Sequence, residues 1–201
     1  ATDAAGNTTT VTQTLTVDLV DPIIANDLGA TNSTNDLTPT ITGTTDVAPG
    51  VTVDVTLTGP ESVLTAAPTV QANGTWEISP TLTSGEWTIV AEVADPAGNT
   101  ATATQVLAVD TTPPVVAITS SALTNDSTPT IEGTTEAGAT IAVSIDGVVV
   151  TDIIQGATWS ATLTGELAGG DLPYNVSVTA TDSVGNSSTA TQALIVDLTP
   201  P

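Results

Sequence analysis

The chain has 201 residues, with 22 Asp and Glu against no Lys, Arg, His or Cys, for a formal net charge of −22. This inventory excludes side-chain salt bridges, disulfides, Lys isopeptide cross-links and imidazole or thiolate chemistry, and it makes a poor partner for nucleic acid or anionic membrane, which are bound through Lys and Arg. No apolar run approaches the roughly 20 residues of a membrane helix, and no basic n-region of a secretion signal occurs, so a targeting signal or anchor is expected outside these residues.

In chain order, the first segment reads ATDAAGNTTTVTQTLTVDLVDP from Ala1: a D-x-x-G-N turn, an alternating stretch ending in TLTVD, and a short linker. It recurs as ADPAGNTATATQVLAVDTTPP from Ala94 and ATDSVGNSSTATQALIVDLTPP from Ala180. Asp3, Asp95 and Asp182 open the three turns at spacings of 92 and 87 residues, and Asp18, Asp110 and Asp197 close the strands at the same spacings. NDLTPTITGTTD from Asn35 matches NDSTPTIEGTTE from Asn125, 90 residues on. Such self-similarity marks a tandem array. It predicts a terminal strand of a truncated preceding repeat over 1–18, one repeat over 19–110 and a second over 111–201.

Within each repeat the local pattern is β. TVDVTLTG from Thr52, TIAVSIDG from Thr140 and YNVSVTATD from Tyr174 alternate apolar with polar residues, as half-buried strands do, and TLTVD from Thr14 shares the pattern. Asn73-Gly74 and Asp146-Gly147 suit tight hairpin turns. No stretch keeps a helical period. The expectation is an all-β chain of tandem immunoglobulin-like β-sandwiches with about seven strands each. Trp76 and Trp159 follow turns at matching places, and Trp87 and Tyr174 each stand eight residues before the Asp of their turn. All four are read as core anchors in preference to a sugar-stacking platform.

The D-x-x-G-N turn near the end of the repeat, V-D-x-T-P-P at its junction and T-P-T-I-x-G-T-T-D/E near its start resemble the bacterial immunoglobulin-like repeats of giant, type I secreted surface adhesins of biofilms. The resemblance covers the whole chain. It implies an extracellular, cell-surface stalk of many sandwiches, with calcium at the junctions and a distal adhesive domain that binds its ligand elsewhere in the full protein.

The residues supply an argument of their own for calcium. On an immunoglobulin-like topology the linker, the loop after TPTIEGTT and the D-x-x-G-N turn all come to one end, bringing Asp110, Glu136, Asp182 and Asn186 together, with Asp36 approaching from the preceding repeat. The corresponding group at the front of the first repeat is Asp18, Asp21, Asp46, Asp95 and Asn99. Gathered carboxylates repel by about 1 kcal/mol or more per pair even at a high effective dielectric, and no Lys or Arg relieves them. Calcium takes six to eight oxygen ligands at flexible geometry and fits such a set. The competing reading makes each Asp a simple turn former. Asp54, Glu77, Glu86, Glu92, Asp146 and Asp152 are read as solvated surface charge.

Enzymatic function is not expected, because only a carboxylate pair remains as a route to catalysis and nothing places two acids in a cleft. Two classes remain. One is a calcium-rigidified structural extender that touches mainly its neighbouring repeats and behaves as a monomeric rod. The other is a binding module for a glycan, a partner or ice, which would need an exposed aromatic patch or a flat Thr array such as Thr100, Thr102 and Thr104.

Overall fold

A computed structural model describes residues 1–27, 32–170 and 172–200, and among them all regular structure is β. The first set of strands is β1 (Ile24–Asp27), β2 (Ser33–Thr34), β3 (Ile41–Thr45), β4 (Val53–Thr58), β5 (Val63–Ala66), β6 (Thr75–Ile78), β7 (Gly85–Ala94) and β8 (Thr100–Val109). The second set is β9 (Val116–Ile118), β10 (Leu123–Thr124), β11 (Thr130–Thr135), β12 (Thr140–Ile145), β13 (Val148–Val150), β14 (Asp152–Ile154), β15 (Thr158–Thr162), β16 (Tyr174–Thr181) and β17 (Ser187–Val196). The sheets run β1-β3-β6 and β2-β8-β7-β4-β5 in the first set, β14-β15-β11-β9 and β10-β17-β16-β12-β13 in the second.

Each set is an immunoglobulin-like sandwich with more strands than the seven expected, because in both the opening strand is divided between the two sheets and in the second β13 and β14 are divided likewise. In the second, β9 lies antiparallel to β11 in one sheet while β10 crosses to pair parallel with β17 in the other. By contacts the chain divides into a unit of residues 1–32 and 38–108 and a unit of residues 33–37 and 109–201.

The alternation read from the sequence decides which faces are buried. Val53, Val55 and Leu57 of β4 point into the first core, as Ile141, Val143 and Ile145 of β12 do in the second, with Asp54 and Thr140 outward. Trp76, Trp87 and Trp159 are buried as expected. Tyr174 is half-buried and packs against the second core, while its hydroxyl donates to the Ala168 carbonyl at 3.0 Å.

Gly43 and Gly133, from the T-P-T-I-x-G motif, sit directly opposite Trp76 and Trp159 across the β3–β6 and β11–β15 ladders. A Cβ on Gly133 would fall 2.2 Å from the Trp159 ring and 2.1 Å from the Ala117 carbonyl, and Gly43 is equally hemmed by Trp76 and Ala25. The motif glycine therefore exists to let the indole lie over the backbone.

The two repeats solve one edge differently. In the first, the Val53 N–H donates to the Pro68 carbonyl at 2.9 Å. In the second, the corresponding Ile141 N–H donates to Gln155 Oε1 at 2.7 Å and the Ile141 carbonyl accepts from Gln155 Nε2 at 2.8 Å. A side-chain amide here replaces a stretch of backbone.

One expected strand does not form. Residues 9–21 carry no strand and are exposed, apart from a single Thr2–Thr8 bridge just ahead of them. The difference is pairing: β8 and β17 lie against β7 and β16, whereas residues 9–21 have no ladder partner among the described residues. An alternating stretch without a ladder partner leaves its backbone groups to water.

Candidate functional site

The D-x-x-G-N turn is built the same way three times. In each, the Asp Oδ1 accepts the N–H of the residues two and four later, and its Oδ2 accepts the Asn Nδ2. The distances are 2.9, 2.9 and 2.8 Å at Asp3, the same three at Asp95, and 3.0, 2.8 and 2.8 Å at Asp182. The backbone closes the loop, with Asp95 N donating to Asn99 O at 2.9 Å and Asp182 N to Asn186 O at 3.0 Å. Gly6, Gly98 and Gly185 take φ of 86°, 94° and 97°, a region that L side chains enter only at a cost.

These bonds favour the ionised carboxylate. The Asn99 amide is the main force holding the Asp95 carboxyl below its ordinary range, against partial desolvation and with help from the Asn99, Ala97 and Gly98 N–H groups. Asp3 is lowered by the same set, led by Asn7. At Asp182 desolvation is the largest influence and raises the pKa, but the bonds from Asn186, Val184 and Gly185 together outweigh it and the net shift is downward.

The Asn of the motif has a second task. Asn186 Nδ2 also donates to the backbone carbonyl of Asp110 at 2.8 Å, and Asn99 Nδ2 to that of Asp18 at 3.3 Å. The linker Asp is itself an Asx turn: Asp18 Oδ1 accepts Val20 N at 3.1 Å, Asp110 Oδ1 accepts Thr112 N at 2.9 Å and Asp197 Oδ1 accepts Thr199 N at 2.9 Å.

A second clamp follows the linker proline. Thr45 Oγ1 donates to the Ile23 carbonyl at 2.7 Å and Thr135 Oγ1 to the Val115 carbonyl at 3.0 Å. The next residue adds its own N–H to the same carbonyls, Asp46 to Ile23 and Glu136 to Val115, both at 3.3 Å. Asp46 Oδ1 also accepts Ile23 N at 2.7 Å. The T-T-D/E motif therefore grips the incoming chain, and the role of Thr45 and Thr135 was missed from the sequence although the repetition of the pair was its signal.

The acids expected to converge do so in part. Asp110, Glu136 and Asp182 line one hollow of about 340 Å³ in the second unit, together with Thr112, Gly138 and Ser183. In the first unit Asn99 bonds both Asp95 and the Asp18 carbonyl, Asp46 bonds Ile23 further along the linker, and Asp21 between them in sequence is exposed. Asp36 donates its N–H to Thr34 Oγ1 at 3.0 Å. Its neighbour Asn35 approaches the D-x-x-G-N turn, with Nδ2 3.5 Å from where a Cβ of Gly185 would stand, and residues 33–37 belong by contacts to the second unit. The donor chemistry, oxygen alone, suits a hard cation. The spacing as built is more open: among the described residues no three acids approach closely enough to cage a metal ion.

The sequence profile of the bacterial Ig-like domain matches residues 24–111 and 117–198. No curated protein matches the chain. Among solved structures, one from work on host cell surface retention of a 1.5-MDa bacterial ice-binding adhesin is 25% identical over 90% of this chain and superposes with a TM-score of 0.52. The chain spans 66% of that structure's length. A tetra-tandem repeat from the extending region of a large adhesion protein is 26% identical over 87% of this chain and 49% of its own, with a TM-score of 0.37. The BSP domain of a biofilm-associated protein is 20% identical over 90% of this chain and 30% of its own, with a TM-score of 0.31. Two profile matches that together span most of the chain, on two sandwiches with the same linker clamps, show that it belongs to the bacterial immunoglobulin-like domain family, as tandem repeats.

Proposed function

We propose that this chain is an extender segment in the extracellular stalk of a bacterial surface adhesin, and that calcium tightens the front end of each repeat. The observation that carries the reading is where the repeated polar residues point. Asn99 and Asn186, Thr45 and Thr135, Asp46 and Glu136 all engage the chain's own incoming linker. Residues that recur in order to fasten linkers serve an array, and stability and reach in an array come from the repeats and their nearest neighbours. Similarity to a structure of a bacterial ice-binding adhesin supports placing this chain in such a protein.

Calcium would be held at the front of the second repeat by Asp110, Glu136, Asp182, the Asn186 amide oxygen and Asp36. At the first, Asp18, Asp21, Asp46, Asp95 and Asn99 would hold it. The ion would offset carboxylate repulsion that no basic residue in the chain relieves.

The binding-module alternative has less support. The exposed Thr100, Thr102 and Thr104 occupy β8 alone, and β7 presents Glu86 and Glu92 to solvent. All three Trp are buried. Glycan arrays and ice-shaping assays on the 201-residue chain test the choice. An extender binds no common surface glycan and leaves ice growth unaltered, whereas saturable binding lost on substitution of Thr102 and Thr104 would overturn the reading.

A further inference from the structure

We propose that the outer edge of β6 in the first repeat accepts an added β-strand, supplied by a basic extended segment of another protein. The proposal is independent of calcium and of the extender reading.

The two repeats differ at this edge. In the second, β14 completes its sheet by pairing with β15, the counterpart of β6: Trp76 and Trp159 hold the same place opposite Gly43 and Gly133. In the first, the chain after β5 does not cross to β6. It runs on along β4 instead, through the Thr52–Thr69 bridge, the bond from Val53 N to Pro68 O at 2.9 Å and that from Val70 N to Val51 O at 2.8 Å. Among the described residues β6 therefore pairs with β3 alone and ends its sheet. An open edge of this kind is a template for another strand.

Alternation decides which groups the edge offers. Thr45 N donates to Gly74 O at 2.9 Å, so Gly74, Trp76 and Ile78 turn their backbone groups toward β3, and Thr75 and Glu77 turn theirs away, with Ser79 next in the series. Gln71 N donates to Thr75 O at 2.8 Å, which closes the edge at its start and leaves it open from Glu77 onward. In the second repeat the equivalents of Glu77 and Ser79 are Ser160 and Thr162, and these pair with Ile154 and Asp152 of β14.

Under the same edge the first repeat has a hollow of about 510 Å³, lined by Leu57, Leu64, Ala66, Ile78 and Pro80. The second repeat fills the matching place. There Ile153 stands opposite Ala161, the counterpart of Ile78, and packs against the core. Ala161 is 1% exposed, whereas Ile78 is only half-buried. The first repeat thus lacks both a strand and one apolar side chain that the second contains.

Charge decides the occupant. A strand set on β6 as β14 is set on β15 places one side chain in the hollow, opposite Ile78, and the next residue opposite Glu77, which is exposed. An acid there would repel, and a Lys or Arg would pair. This chain has no Lys or Arg, so neither a second copy nor another of its own segments supplies that residue. A net charge of −22 also draws basic segments and repels further copies. The fitting sequence is a β-branched apolar residue followed by Lys or Arg, antiparallel to β6. Affinity comes from main-chain bonds, and specificity from the hollow and Glu77.

The experiment uses the 201-residue chain and a synthetic peptide, KTVTIKVTK, with KTVTSKVTK as a control of equal charge that lacks the apolar plug. Amide hydrogen exchange is read residue by residue. We expect the first peptide to slow exchange at Glu77 and Ser79 by at least about tenfold and the control to leave it unchanged. Glu77→Lys should abolish the protection. Glu86→Lys, on β7 of the other sheet and of the same net charge, should keep it. Equal protection by the control, or equal loss in the two variants, would reduce the effect to diffuse attraction and overturn the proposal. So would no protection at all, or protection at Glu77 that rises with protein concentration alone, which would make a second copy the occupant.

Discussion

Asn186 donates from Nδ2 to the backbone carbonyl of Asp110 at 2.8 Å, across 76 residues of sequence. The same nitrogen bonds Asp182 Oδ2 at 2.8 Å, so one amide ties the D-x-x-G-N turn of the second repeat to the linker that leads into it. Asn99 does the same for Asp18 and the first repeat, at a longer 3.3 Å.

Asn186→Ala should therefore destabilise the second repeat by about 0.5–1.5 kcal/mol, the net worth of side-chain bonds whose freed partners can return to water. Asn99→Ala should cost the first repeat less, since its linker bond is longer at 3.3 Å. Denaturant unfolding followed by Trp fluorescence compares them, and equal effects would show that the linker bond adds nothing.

Gly133→Ala places a methyl where the Trp159 ring and the Ala117 carbonyl already stand. The indole must shift or the β9–β11 ladder open, at a cost of about 1–3 kcal/mol or more. Gly138→Ala, whose Cβ would meet nothing within 4 Å, is a comparison for size alone, though its φ of 89° adds backbone strain of its own. Thermal unfolding of both checks the prediction, which requires Gly133→Ala to melt lower.

Gln155→Leu removes both bonds to the Ile141 backbone, leaving a β12 edge donor and acceptor unpaired near the core. The loss should be about 1–3 kcal/mol and confined to the second repeat. Hydrogen exchange at Ile141 should accelerate without change at Val53, where the backbone of Pro68 does the same work.

Acid should act through the three turns. Asp3, Asp95 and Asp182 are held below the ordinary carboxylate range in the folded chain, so the unfolded chain binds protons first as pH falls. Their contribution is present in full above the unfolded pKa and is lost as pH falls through the folded values, below about pH 4. Neutralising a chain of charge −22 relieves general repulsion over the same range, so the turn effect is read as a difference. Asp95→Asn should be less stable than wild type at pH 7 and approach it at pH 3. A difference independent of pH would remove the ionised carboxylate from the account.

How far the sequence reaches is clearest at these positions. Alternation in TVDVTLTG and TIAVSIDG was enough to assign β4 and β12 and their inward faces, because a period of two leaves little choice once one face is buried. An immunoglobulin-like topology was enough to bring Asp110, Glu136 and Asp182 to one end, where they line one hollow. It was not enough to choose between a turn-forming and a metal-binding role for Asp182, or to foresee that Asn186 reaches the linker, because a D-x-x-G-N string does not state which bonds its amide makes. TLTVD at Thr14 shows the opposite limit: its pattern is that of β8, but a strand is made by its partner as much as by its own residues.

The proposal that calcium tightens the front of each repeat is tested most directly by small-angle scattering of the two-repeat chain, with calcium and with chelator. A site of extracellular type, with a Kd of about 0.1–1 mM, stabilises by roughly 1.4–2.7 kcal/mol at about 10 mM calcium. The account predicts a narrower, more extended distribution of sizes in calcium than in chelator. It also predicts that Glu136→Gln, which leaves the Asp182 turn bonds in place, loses much of that response. Superimposable profiles with and without calcium would contradict it, leaving the acids as turn formers and the linker held by Asn186, Thr135 and their counterparts alone.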